Sequence, residues 1–184
     1  MASSRLSSFL LLFVACAVAA QAPVRLRGTI TAFGGNVLSV GKDQVRVGEK
    51  TDIVFAQPIS LADIKPGDFV GVTSARAADG TLTGLEVRRF PGAINPGHRP
   101  FDGGPNQTMT NATVGTVAPS SSGRELTLTY DGGAQKIAVP QDASVSELVP
   151  GKPSQLVPGA RVNLTHGPDK VALRIQVSAP KPPQ

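Results

Sequence analysis

After Pro23, apolar and polar residues alternate in short runs broken by Gly, Pro, Asn and Asp, which is the pattern of half-buried strands rather than of helices. Residues 24–33 (VRLRGTITAF) predict a first strand, ended by Gly34-Gly35-Asn36. Residues 37–40 and 44–47 follow, with Gly41-Lys42-Asp43 as the hairpin turn between them. Residues 69–75 and 82–90 predict another hairpin, joined through Ala78-Asp79-Gly80. No element is assigned between Val47 and Ser60.

The same order returns in the second half. Gly28-Thr29-Ile30 aligns with Gly115-Thr116-Val117, Leu38-Ser39-Val40 with Leu126-Thr127-Leu128, Val45-Arg46-Val47 with Ile137-Ala138-Val139, and Leu85-Glu86-Val87 with Leu173-Arg174-Ile175. The sharpest landmark is IKPGDFV at residues 64–70 against LVPGARV at residues 156–162, with the Pro-Gly turn at one place in the strand order. Landmarks kept in order point to a duplication. The first copy spans residues 24–90 and the second residues 111–178, with residues 179–184 as a disordered tail. Ser60-Leu61-Ala62-Asp63 has the Ser-x-x-acid spacing of a helix start, and residues 144–147, from Ser144 to Glu147, repeat it. Five strands with a helical turn between the third and fourth make an OB-like barrel, whose closure removes exposed strand edges. The expected fold class is all-β: two tandem small OB-like closed barrels after an N-terminal signal helix.

Between the copies, residues 91–110 carry Pro91, Pro96, Pro100 and Pro105, a density that predicts no regular element. Ile94, Phe101 and Met109 are out of place in a flexible linker. An ordered loop packed on one or both barrels is expected, with the run His98-Arg99-Pro100-Phe101-Asp102 at its centre.

The segment before Pro23 stands outside this pattern. Arg5 precedes an apolar run over residues 9–20 (FLLLFVACAVAA) that ends in small residues, so a secretory signal cleaved after Ala20 is expected. A membrane-spanning anchor needs roughly 20 apolar residues, more than this run supplies. The competing reading makes Cys16 a lipidated first residue, because Phe13-Val14-Ala15-Cys16 loosely resembles a lipobox, although Leu is usual where Phe13 stands. Cleavage after Ala20 removes Cys16, the one cysteine, and leaves a periplasmic or secreted chain without thiol or disulfide. The net charge of +5 falls by one with Arg5, too modest an excess to indicate nucleic acid. Twenty Gly and sixteen Pro, with no Trp, fit short strands and frequent turns.

Gly28-Thr29-Ile30-Thr31, Pro66-Gly67-Asp68, Asp79-Gly80-Thr81-Leu82-Thr83, the central run Gly97-His98-Arg99-Pro100-Phe101-Asp102 and Thr108-Met109-Thr110-Asn111-Ala112-Thr113-Val114 together resemble a family of exported bacterial proteins defined only as a domain of unknown function. The resemblance covers nearly the whole chain after the leader. It implies OB-like modules of the proteobacterial envelope and a periplasmic location. It brings no catalytic residues, none being established for the family.

Candidate chemistry is sparse. With two histidines, a zinc site would need carboxylates as its remaining ligands. His166 precedes Gly167-Pro168 in a predicted turn and fits a surface position. His98, with Asp102 four residues on, fits either a loop brace or a metal ligand. Ser120-Ser121-Ser122-Gly123 is a hairpin loop, not a nucleophile elbow, and Gly34-Gly35 and Gly103-Gly104 lack the helix and lysine of a phosphate loop. Phe33, Phe55, Phe69, Phe90, Phe101 and Tyr130 are scattered at core-like positions, which argues against a base-stacking groove and a nucleic-acid partner. Arg76, Arg88, Arg89 and Arg99 form a candidate positive patch. A solvated edge that discourages strand pairing is favoured there over a membrane surface.

The expectation is a non-catalytic exported binding or assembly module without cofactor, whose partner is an envelope protein or a small ligand. Its candidate binding loop is His98, Arg99, Phe101 and Asp102; the alternative is a metal-handling accessory protein using His98 and Asp102. Mass spectrometry of the exported chain is expected to find Gln21 at the mature N-terminus. A diacylglyceryl-Cys16 peptide would overturn that cleavage site.

Overall fold

In a computed structural model of the chain, residues 22–180 are described; the expected secretory signal with Cys16, its expected cleavage site and the end of the expected tail lie outside the described residues. The alternating runs become strands β1 (Val24–Gly34), β2 (Val37–Val40), β3 (Asp43–Arg46), β4 (Asp52–Pro58), β5 (Phe69–Arg76), β6 (Leu82–Phe90), β7 (Gly97–Pro100), β8 (Gln107–Ser120), β9 (Gly123–Tyr130), β10 (Gly133–Pro140), β11 (Ser144–Pro150), β12 (Arg161–His166) and β13 (Ala172–Ser178). Single 3-10 turns sit at Leu61–Asp63 and Pro153–Gln155. The turn from β1 to β2 needs two successive positive φ angles, and Gly35 (54°) and Asn36 (62°) supply them.

Strand pairing crosses between the two copies. β8 runs antiparallel to β5 and β9, β9 to β10, and β5 to β6, while β10 meets β6 in parallel at Ala138↔Thr83. These five strands form a closed barrel. Its core joins Val70, Val72 and Val87 of the first copy to Leu126, Leu128 and Ile137 of the second, all fully buried.

The remaining strands pair reciprocally. β1 pairs with β12 and β2, β2 with β3, and β12 with β13. The Arg46 N–H donates to the Lys170 carbonyl at 2.8 Å beside a parallel bridge from Arg46 to Val171, bringing the end of β3 to the start of β13. Ile30, Leu38 and Val45 here share a core with Leu164, Ile175 and Val177. This corrects the expected division at residues 24–90 and 111–178. β5 and β6 complete a core begun by the second copy, and β12 and β13 complete one begun by the first.

The exchange is made by two strands that the sequence pattern did not predict. β4 and β11 run antiparallel, with Ala56 opposite Leu148, while β4 lies parallel to β13 and β11 parallel to β6. The separation of that pair, 148 less 56, is 92, the same as between Pro66 and Pro158. Positions matched by that spacing therefore face one another there.

Residues 144–147, expected to begin a helix, belong to β11. Val145 faces Val87 across the β11–β6 ladder, and Glu147 accepts from Arg89 at 2.5 Å. The helical turn of the second copy comes later, at Pro153–Gln155, where Gln155 accepts from the Lys152 N–H at 2.7 Å. The first copy's capping box is present as expected, the Ser60 N–H donating to Asp63 at 2.9 Å and the Ala62 N–H to the Ser60 hydroxyl at 3.1 Å. Arg89 also donates to the Asp63 carbonyl at 3.1 Å and lies 3.6 Å from the Asp68 carboxylate. Its hydrogen bond to Glu147 raises the Arg89 pKa above the ordinary value. Charge-assisted bonds of this kind contribute about 1.5–3 kcal/mol when partly buried, and here they clamp β11 onto the barrel.

One landmark of the repeat shifts by three residues. Ile30 donates to the Ala160 carbonyl and accepts from the Gly159 N–H, as Val114 does with Asp68 and Gly67. Ile30 is therefore equivalent to Val114, not Val117, and the offset there, 114 less 30, is 84 rather than 87.

Because each core is built from both copies, cutting the chain between them is expected to leave both cores whole. A protease site inserted between the exposed Gly92 and Ala93, once cleaved, is expected to leave one particle in size-exclusion chromatography, with fragments parting only in denaturant. Separation in native buffer would contradict the exchange of strands.

Candidate functional site

The segment joining β6 to β8 is held down by a gap in the sheet beneath it. A side chain on Gly71 of β5 would place its Cβ 2.7 Å from the Phe90 ring and 2.9 Å from Asn111 Oδ1, so glycine there leaves both in place. Asn111 then donates to the carbonyls of Ile94 (2.9 Å) and Asn95 (3.2 Å). The proline-rich segment, expected to hold no regular element, forms β7, which pairs antiparallel with residues 108–111 of β8. The prolines are tolerated because β7 is an edge strand that Pro100 ends.

β7 sets the geometry of His98. The Arg76 guanidinium lies 2.8 Å from His98 Nε2, and Nδ1 lies 2.8 Å from the Thr110 hydroxyl. Guanidinium groups only donate, so Nε2 is the acceptor and the ring proton sits on Nδ1, donating to Thr110. Burial first, and the Arg76 charge second, hold the His98 pKa below the ordinary imidazole value.

Arg99 donates to the Asn95 carbonyl at 3.1 Å, closing the loop on itself. Phe101 and Asp102 reach across to the other half of the molecule. The Arg27 guanidinium of β1 lies 5.4 Å from the centre of the Phe101 ring and donates to Asp102 at 2.9 Å. This hydrogen bond, more than the accompanying charge, keeps the Asp102 carboxyl below the usual carboxylate range.

His98 and Asp102 thus face different partners and do not converge. Among the described residues, no group of three or more His, Cys, Asp or Glu is placed to hold a metal ion. His166 lies in its turn with Nδ1 2.6 Å from the Gly167 carbonyl. The arginines of the candidate positive patch are engaged within the molecule: Arg76 with His98, Arg88 with Glu86, Arg89 with Glu147 and Arg99 with Asn95. Two shallow hollows lie elsewhere, one of about 310 Å³ beside Val37, Gln44 and Lys170, the other of about 120 Å³ beside Phe90, Pro91 and Leu148.

Sequence reasoning singled out the loop and missed what fixes it. Arg27 was not singled out, Thr110 and Asn111 were marked by the resemblance alone and with no bonding role, and no spacing in the chain brings Arg27 to Asp102 across 75 residues. No family model matches the chain, and no curated protein or solved structure matches it either.

A depressed His98 pKa favours the neutral ring in the folded state. The stability it contributes is complete above the unfolded value near 6.5 and is lost as pH falls through the lower folded value. Between pH 7.5 and 5, wild type is expected to lose thermal stability that His98→Gln retains; parallel melting curves would remove this role from His98.

Proposed function

We propose that this chain is an exported, periplasmic, non-catalytic binding or assembly module. Its scaffold is a pair of OB-like barrels that exchange strands, and its ligand or partner contacts the ridge made by His98, Arg99, Phe101 and Asp102. One observation carries this reading: the polar groups of the ridge are engaged in fixing its shape. His98 uses both ring nitrogens, Asp102 holds Arg27, and Arg99 holds its own loop. Such a loop offers a rigid contour to a partner rather than a free base or nucleophile. It is braced on β5 and β8 at one end and on β1 at the other, so it also ties the two halves together. The apolar leader supports the exported location.

The metal-handling alternative requires His98 to give up its bond to Arg76, since Nε2 accepts from that guanidinium. Equilibrium dialysis against copper and zinc is expected to give equal, negligible uptake by wild type and His98→Ala. Uptake by wild type alone would replace the binding-module reading with the metal one. A photo-crosslinking side chain at position 99 is expected to trap a discrete adduct in the periplasmic fraction, and one at position 42 is not; equal labelling from both would argue against the ridge.

A further inference from the structure

The two halves differ at one sheet edge. With Ile30 equivalent to Val114, residues 24–27 of β1 correspond to residues 108–111 of β8. In β8 that stretch lies between β5 on one side and β7 on the other, and Thr108, Thr110 and Asn111 are buried. In β1 the same stretch pairs with β12 on one side, while β2 joins the other side only from Ile30 onward. Among the described residues, no strand pairs with the second side of residues 24–28. Val24 there is 49% exposed, and Arg25, Arg27 and Gly28 are exposed too.

The backbone direction of this edge follows from the ladder. Ile30 turns its N–H and C=O towards the β12 side, where Ala160 and Gly159 meet them. Alternation along β1 then points the N–H and C=O of Arg25 and Arg27 away from β12, into the unfilled position. Their equivalents in β8, Met109 and Asn111, sit opposite Arg99 and Gly97 of β7. The first half therefore presents the edge that the second half has filled with its own chain.

Charge selects the occupant. Arg25 and Arg27 project from the same face, and a second copy of β1 laid antiparallel would set arginine against arginine, which opposes self-pairing. Carboxylates suit that face, as Asp102 on Arg27 illustrates. We infer that residues 24–28 of β1 bind an extended, acidic peptide segment of a partner by antiparallel strand addition, in the position β7 takes on β8, with carboxylates at alternate residues meeting Arg25 and Arg27. This rests on the binding-module reading and gives it a second contact surface beside the ridge.

The probe is a capped synthetic decapeptide of alternating Glu and Val, with two controls: Lys in place of Glu, and N-methylation of alternate residues. Fluorescence anisotropy with the purified protein at low salt is expected to show binding of the Glu peptide and at least tenfold weaker binding of both controls. Arg25→Pro removes an outward N–H while sparing the β12 ladder, and is expected to weaken binding at least tenfold with little change in melting temperature. Should that variant unfold, Arg25→Glu tests the same edge and leaves the Arg27–Asp102 bond in place, with preference expected to pass to the Lys peptide. Absence of binding, equal binding of the N-methylated peptide, or indifference to these variants would overturn strand addition at β1. So would a concentration-dependent dimer that Arg25→Pro abolishes. Crosslinking at position 99 and the metal dialysis would be unaffected by any of these results, so the wider reading stands or falls separately.

Discussion

β4 and β11 pass each other in antiparallel contact, Ala56 opposite Leu148, and each carries its chain out of one core and into the other. Every other feature of the architecture depends on that crossing. The last two strands of the first copy reach the second copy's core, and the last two of the second reach the first's. Each core therefore draws its buried aliphatic side chains from two distant parts of the chain, and burial of a Val, Leu or Ile side chain contributes about 1.5–3 kcal/mol. Neither copy can bury its apolar face alone. The ion pair from Arg89 to Glu147 reinforces the crossing at its polar margin.

The strand pairing of the two halves follows a similar order while their surfaces differ, and the differences are local. Gly71 stands where the other half has Asn163, each 92 residues apart and each opposite its β1-type strand at Asn111 and Arg27 respectively. With no side chain at Gly71, Phe90 and Asn111 pack into the gap and the joining segment settles on β8 as β7. With Asn163 and Arg27 at the matching place, the surface stays polar and Arg27 instead reaches out to Phe101 and Asp102. One topology thus yields one covered edge and one open edge.

Much of the local structure was legible in the chain. Alternation marked ten of the strands, Gly and Asn marked turns that need positive φ, and Ser60 with Asp63 marked a capping box. Three strands were not marked. β4 carries the contiguous apolar run from Ile53 to Ala56 rather than an alternating one, because it packs between β11 and β13, and β11 was hidden by the Ser-x-x-acid spacing from Ser144 to Glu147. β7 was obscured by prolines that an edge strand accommodates. The three-residue slip in aligning Gly28 with Gly115 has a similar origin, since β-sequences repeat every second residue and several registers look alike. The ridge itself was visible as the run from His98 to Asp102, but its bonding partners were not.

By itself, the sequence determined the all-β class of fold and the place of the joining segment, because periodicity and turn chemistry act over a few residues. Tertiary structure alone decided which copy supplies the strands of each core, that His98 meets Arg76 and Thr110 while Asp102 meets Arg27, and which edge of β1 stays open. The physical reason is that two halves with similar alternating patterns can close on themselves or on each other with similar local contacts. The choice between those closures is made by long-range pairing at β4 and β11, which no local preference specifies.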